Sequence, residues 1–176
     1  MNKKNNFTAY RKYLNSITFK AKIYRKFFYF PILNNCLEPP ILEIGCGIGG
    51  FLEYRKNKDI IGLDINPELV EICKAKGLKA EVMDYDILPF DEYNFNSILL
   101  DNVLEHIESP HKIFNEISRV LKKNGKLLIS VPGKKGFEHD TDHKKFYDSF
   151  DLDEKLKSHN FSNVKKFYTP FKSEWL

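Results

Sequence analysis

The chain has 176 residues, of which 42% are apolar, so it is long enough for one domain with a sizeable core but too short for two. No apolar run approaches the roughly 18 residues of a membrane span, and no signal-peptide core follows the polar start, which predicts a soluble protein. The three cysteines, Cys36, Cys46 and Cys73, have neither paired nor metal-ligand spacing, so we expect reduced thiols and a cytoplasmic location.

The net charge of +4 is unevenly distributed along the chain. Residues 1–35 contain no acidic residue, and their basic residues are interleaved with Phe and Tyr. Such a mixture suits a membrane surface, a nucleic-acid strand or a helical cap on the domain that follows. We therefore divide the chain into a basic aromatic helical arm, residues 1–38, and a domain, residues 39–176.

The first predicted strand, Ile41–Ile44, runs directly into a glycine-rich loop. Gly45, Gly47 and Gly49 alternate there, and glycine lets a backbone pass close to a ligand. Gly45, Gly47 and Gly50 also satisfy the dinucleotide fingerprint G-x-G-x-x-G. Asp64 lies at the distance along the chain where dinucleotide-binding proteins have an acid that binds the ribose hydroxyls. This motif alone is common to several cofactor classes.

Short apolar runs alternate with helical stretches after Pro40, which predicts a parallel sheet with helices on both faces. Asn66 is expected to cap one helix that ends at Gly77, and Ser109-Pro110 to begin another that ends at Asn124-Gly125. A last helix is expected over Asp151–Lys157. The predicted strands are Ile41–Ile44, Ile60–Asp64, Ala80–Asp84, Ser97–Leu100 and Lys126–Val131, with a further one over Asn163–Thr169 beside the sheet.

Glu43, Asp64, Asp84 and the segment Phe95–Ile107 recur in the order of one family. The chain resembles class I S-adenosylmethionine-dependent methyltransferases from about residue 40 to residue 132, most specifically over residues 42–49. The resemblance implies an α/β, doubly wound, mostly parallel Rossmann-like sheet with S-adenosylmethionine as cofactor. The resemblance also favours the interpretation that the basic arm packs on the domain as a helical cap over the cofactor, rather than binding a membrane or a nucleic acid.

The family usually adds a final antiparallel strand to the sheet, for which only residues 171–176 remain here. We expect that strand to be lacking. The edge would then be covered by the arm, by a second copy of the chain or by a partner subunit, because a bare edge invites pairing.

The resemblance also assigns cofactor contacts. The glycine loop would hold the methionine part, Asp64 the ribose hydroxyls and Ile65 the adenine ring, while Asp84 and Tyr85 would recognise the adenine amino group. Asp101 and Asn102 would face the methionyl end and the acceptor. The expected cofactor-binding set is Glu43, Gly45, Cys46, Gly47, Gly49, Asp64, Ile65, Asp84, Tyr85, Asp101 and Asn102.

Three histidines are candidates for a general base, in the order His143, His106 and His139. His139 and His143 lie in the loop after the fifth strand, and a positioned base helps a hydroxyl acceptor by roughly 100-fold to 10,000-fold. Their spacing of four, with Asp140 and Asp142 between them, is chemically suited to a metal, but the transfer needs none and no metal is expected.

The resulting prediction is a methyltransferase acting on a hydroxyl of a small molecule such as a sugar. A non-catalytic cofactor-binding partner of another methyltransferase is the main alternative. A nicotinamide-dependent oxidoreductase is less favoured because we find no second catalytic domain in the sequence. The basic arm leaves a nucleic-acid methyltransferase as a less favoured alternative. Methylation of base amino groups is disfavoured because Asp101-Asn102-Val103-Leu104 stands where those enzymes have an Asn-Pro-Pro-Tyr or Asp-Pro-Pro-Tyr motif.

Overall fold

Five strands form one parallel sheet in the computed structural model, which describes residues 19–56, 59–85, 87–162 and 164–168. Their order is β3-β2-β1-β4-β5, and every neighbouring pair is parallel. The order reverses between β1 and β4, where open parallel sheets bind ligands at their carboxyl edge. The strands are β1 (Ile41–Ile44), β2 (Ile60–Asp64), β3 (Ala80–Val82), β4 (Phe95–Asp101) and β5 (Leu121–Ser130). The predicted doubly wound fold is confirmed.

Helices flank the sheet, and none in the described residues is long and apolar enough to cross a membrane. The first helical stretch has a π-helical turn (Arg25–Tyr29) between two α-helices, and a 3-10 turn (Leu104–His106) follows β4. The α-helices are α1 (Phe19–Tyr24), α2 (Phe30–Cys36), α3 (Gly50–Tyr54), α4 (Pro67–Ala75), α5 (His111–Val120), α6 (Lys134–Glu138) and α7 (Ser149–Ser158). Residues 1–18 of the predicted arm lie outside the described part.

Side chains that alternate along each strand build two apolar cores, one on each face of the sheet. Leu42 and Ile98 join the core under α5, whereas Ile41 and Leu99 join the core under α2, α3 and α4. By the same alternation, the odd-numbered residues of β1, and those of β4 after the register shift at Phe95, point toward the first helical stretch. Glu43 and Asp101 therefore share a face with that stretch.

The second predicted helix and the last core strand have different bounds in the structure. The helix begins at His111 with Pro110 at the cap position, so Ser109 does not cap it. It ends at Val120, and β5 starts directly afterwards rather than at Lys126. Asn124 takes a φ of +63°, which lets the chain continue as an irregular strand instead of turning back.

The predicted strand over residues 163–169 is wrong for the part described, since residues 164–168 pair with no strand. The alternation misleads because both sets of side chains face solvent: Val164, Phe167 and Tyr168 are all exposed. Residues 163 and 169–176 lie outside the described part. Within the described residues, β3 and β5 are the two edges of the sheet.

Candidate cofactor and acceptor site

The loop after β1 contains glycines at positions where any side chain would strain the backbone or overlap a neighbour. Gly45 has φ +74° and Gly49 has φ +78°, both in the left-handed region. A Cβ at Gly45 would overlap the side chain of Val103, and one at Gly49 would lie 2.7 Å from Leu78 Cδ1. The backbone consequently packs closely at the switch point of the sheet, where the N–H groups of Gly45 and Cys46 donate to the carbonyl oxygen of Leu63 at 2.8 and 2.9 Å.

Asp64, at the end of β2, is tied to this loop. Its Oδ2 accepts the N–H of Gly47 at 2.8 Å, and its Oδ1 accepts the N–H of Asn66 at 2.8 Å. Burial raises the pKa of Asp64, and these two hydrogen bonds oppose the rise. Each carboxylate oxygen has a second lone pair, so the group retains acceptor capacity for ligand hydroxyls.

Glu43, on β1, is a buried carboxyl group with an unmatched oxygen. Its Oε2 has no hydrogen-bond partner within the described parts of the chain. Burial first, and then the negative charge of Asp101, raise the pKa of Glu43, while Arg25 acts in the opposite direction. A buried oxygen of this kind suits a cationic donor such as the ammonium group of S-adenosylmethionine.

Asp101, at the end of β4, is held by the first helical stretch. Its carboxylate accepts from Arg25 Nη2 at 2.7 Å, from the Tyr29 hydroxyl at 2.5 Å and from Asn102 Nδ2 at 3.0 Å. The Tyr29 hydroxyl also lies 2.8 Å from that of Ser130 on β5. Sequence reasoning missed Arg25 and Tyr29, although their i, i+4 spacing in a basic aromatic helix is a usable signal.

The residues predicted for the adenine end lie at the same edge but are more open. Ile65 is half-buried and packs against the core under α5. Asp84 and Tyr85 are exposed beyond β3, and the carboxylate of Asp84 accepts the N–H of Tyr85 at 2.8 Å. That hydrogen bond is typical of a turn, so their adenine contacts stay a prediction.

Two of the three candidate histidines come together beside a carboxyl group that sequence reasoning did not single out. Glu105 and His106 lie on the 3-10 turn after β4, and one ligand atom from each lies within 4.8 Å of one from His143. The backbone oxygen of Glu105 accepts the N–H of Lys144 at 2.8 Å, which fixes the distant loop to the turn. His139 is exposed at the end of α6, outside this cluster.

The cluster Glu105–His106–His143 is electrostatically unusual. Glu105 is only 1% exposed, and burial, followed by the charges of Asp101 and Asp140, raises its pKa to about 7. Burial, and then the neighbouring His143, lower the pKa of His106. His143 Nε2 lies 3.9 Å from Glu105 Oε1 and 3.8 Å from Asp140 Oδ2.

The family model described as a methyltransferase domain matches residues 42–129, which is 88 of 176 residues. An uncharacterized protein of Methanocaldococcus jannaschii is 34% identical over 142 residues, covering 74% of this chain and 68% of that protein. The chain belongs to the methyltransferase domain family. Together with the parallel sheet, this makes the protein a class I methyltransferase with S-adenosylmethionine as its cofactor.

Named relatives of this methyltransferase act in different settings. A ubiquinone biosynthesis O-methyltransferase of Xanthomonas oryzae pv. oryzae is 31% identical over 101 residues, covering 52% of this chain and 42% of the relative. A probable tRNA methyltransferase 9B of Homo sapiens is 34% identical over 94 residues, covering 52% of this chain and 21% of the relative. The methyltransferase thus spans less than half the length of either.

Two solved structures share its fold. A SAM-dependent methyltransferase from Archaeoglobus fulgidus has 24% identity and a TM-score of 0.67, covering 86% of this chain and 73% of that one. The methyltransferase in a complex with the Trm112 methyltransferase activator of Haloferax volcanii has 22% identity and a TM-score of 0.67, covering 87% and 75%.

Proposed function

We propose that this methyltransferase transfers the methyl group to a hydroxyl of a small-molecule acceptor, such as a sugar or a similar metabolite. The observation that carries the proposal is the cluster Glu105–His106–His143, in which buried Glu105 and half-buried His106 follow β4 and half-buried His143 comes from the loop after α6. A neutral hydroxyl is a poor nucleophile and benefits from a positioned group that takes up its proton as the oxygen attacks. The O-methyltransferase among the relatives supports the same acceptor class.

The cofactor half of the proposal rests on the carboxyl edge of β1, β2 and β3. Bound S-adenosylmethionine supplies an electrophilic methyl carbon on a sulfonium. The loop residues Gly45, Cys46, Gly47 and Gly49 would hold its methionine part. Glu43 would accept from its ammonium group, since Oε2 is buried and unmatched.

The nucleoside half would lie further along the same edge. Asp64 would accept from both ribose hydroxyls, and Ile65 would pack on the adenine ring, with Asp84 and Tyr85 beside its amino group. Because Asp64 also anchors Gly47 and Asn66, it would hold the loop and the ribose in one geometry.

On the acceptor side, Asp101 and Asn102 would line the approach to the methyl group, and the cluster would take up or weaken the hydroxyl proton. Transfer forms the oxygen–carbon bond, breaks the carbon–sulfur bond and releases one proton. His143 remains the predicted base. Its Nδ1 lies 2.8 Å from the carbonyl oxygen of Phe137, so Nδ1 carries the hydrogen and Nε2 the lone pair.

The first experiment is a calorimetric titration with S-adenosylmethionine and its demethylated product, with NAD as the control. We expect binding of the first two only. Transfer of a labelled methyl group to a panel of hydroxylated metabolites, with amines and tRNA as comparison acceptors, then tests the acceptor class. Labelling of tRNA or amines alone would contradict the proposal, as would binding of NAD alone.

A partner subunit is a second element of the proposal. The outer edge of β5 pairs with no strand among the described residues, and the similar Haloferax volcanii protein is bound to an activator. We therefore expect either self-association or capture of a second protein at this edge. Sedimentation of the purified chain distinguishes these outcomes: a concentration-independent monomer that is fully active would refute both.

A further inference from the structure

Three side chains with ligand chemistry converge at the end of β4, from two separate parts of the chain. Glu105 and His106 come from the 3-10 turn and His143 from the loop after α6, and their ligand atoms lie within 4.8 Å of one another. The His106 and His143 ring centres are 4.8 Å apart. The sequence pattern pairs His143 with His139, but the fold pairs it with His106 and Glu105.

The backbone fixes which nitrogen of each ring carries the lone pair. His143 Nδ1 lies 2.8 Å from the carbonyl oxygen of Phe137, and His106 Nδ1 lies 3.4 Å from that of Asp142. A carbonyl oxygen only accepts, so both rings carry their hydrogen on Nδ1 and their lone pair on Nε2. Histidines that bind a metal are typically oriented by such a hydrogen bond to the opposite ring nitrogen.

The carboxyl group provides a second, independent indication. Glu105 is 99% buried, and neither of its side-chain oxygens accepts a hydrogen bond from another of the described residues. Its Oε1 is directed at His143 Nε2 at 3.9 Å, too far for a hydrogen bond and suited to two ligands flanking an ion. Asp140 Oδ2, 3.8 Å from the same nitrogen, adds further negative charge.

We propose that Glu105, His106 and His143 bind a divalent transition-metal ion of the zinc class. Two imidazoles and one carboxylate form a donor set typical of zinc sites that keep one coordination position open. The loop carrying His143 is already fixed to Glu105 by backbone hydrogen bonds from Lys144 and Lys145, so ion binding needs little rearrangement. With the ion bound, His143 Nε2 would hold the metal instead of acting as the base, and the open coordination position would lower the pKa of the acceptor hydroxyl in its place. Metal binding itself does not depend on the proposed O-methylation.

The test uses Co²⁺ as a spectroscopic probe on the chelator-treated full chain. We expect one equivalent of Co²⁺ to give visible ligand-field bands, and Zn²⁺ to displace it. Glu105→Gln keeps the shape of the side chain but removes its charge, and His143→Asn removes a ring nitrogen. Each should weaken Co²⁺ binding by more than about 10-fold. Thermal melting without metal identifies any variant that has failed to fold, and His106→Asn then serves in its place.

Matched controls use the histidines outside the cluster. His139→Asn should leave the Co²⁺ spectrum and affinity unchanged, as should His159→Asn, which breaks the separate His111–His159 contact of 2.9 Å. Absence of stoichiometric Co²⁺ binding would overturn the proposal, and so would unchanged affinity in Glu105→Gln and His143→Asn, or loss of binding in His159→Asn. None of these readouts uses methyl transfer, so failure of the metal site is distinguishable from failure of the proposed reaction.

Discussion

Glu43 illustrates how one residue trades stability for ligand binding. A carboxyl group with an unmatched oxygen in an apolar core is costly in the absence of a ligand, because desolvation penalises its charged form. The same oxygen becomes useful once a cationic donor occupies the crevice.

We therefore expect Glu43→Gln to change the pH dependence of stability. The folded pKa of Glu43 lies well above its ordinary value of 4.5, so the folded state binds more protons than the unfolded state above pH 4.5. The free energy of unfolding of the natural protein should fall as pH rises through this window, and Glu43→Gln should lose that part of the slope. Urea unfolding at several pH values measures it.

The exposed Glu81→Gln substitution is the matched control and should leave the slope unchanged. Parallel curves for the natural protein and Glu43→Gln would show that Glu43 titrates normally. The same Glu43→Gln protein should bind S-adenosylmethionine more weakly, because an amide lacks the charge that attracts an ammonium group.

At the scale of the elements, the β1–α3 loop depends on left-handed backbone. Gly45→Ala should destabilise the fold by about 1–3 kcal/mol from backbone strain alone, and by more because the new methyl group overlaps Val103. Gly133→Ala is the control, since a Cβ there meets nothing within 4 Å. Equal urea midpoints for the two variants would contradict the role of Gly45.

The contact between the first helical stretch and the sheet is a second element-scale feature. Tyr29→Phe removes the hydroxyl that donates to Asp101 and lies beside Ser130, but keeps the ring in its core. A hydrogen bond to a charged group contributes about 1.5–3 kcal/mol, which is the loss expected in urea unfolding. Tyr93→Phe, at an exposed position, should change stability by less than about 0.5 kcal/mol.

Elements with purely local signals could be predicted from the sequence. β1 and β2 match their predicted bounds because branched apolar runs ended by Gly45 and Asn66-Pro67 specify both strand and stop. The start of β5 could not be predicted, because Asn124 keeps the left-handed backbone of a turn, and Leu121 pairs with Phe95 on the other side of this irregularity. The cluster Glu105–His106–His143 depends on which loop packs on which turn, and no local pattern contains that information.

At the scale of the whole molecule, ligand binding couples the crevice to global unfolding. S-adenosylmethionine at 100 times its Kd should stabilise the fold by about 2.7 kcal/mol. For a chain of this size, each kcal/mol of added stability raises the Tm by about 2–4 °C. Asp64→Ala should abolish the shift, because the carboxylate both anchors the loop and is proposed to hold the ribose. A shift of equal size in Asp64→Ala would remove that residue from the site.

The hydrogen bonds between Tyr29, Asp101 and Ser130 also impose an order on synthesis at the ribosome. Tyr29 and Ser130 are separated by 101 positions. At a synthesis rate of about 5–20 residues per second, Ser130 is therefore added roughly 5–20 s after Tyr29. During that interval Phe27 and Phe28, which stay exposed even in the finished fold, lie beside a sheet that still lacks its β5 edge. We therefore expect chaperones to bind the nascent chain until β5 has emerged.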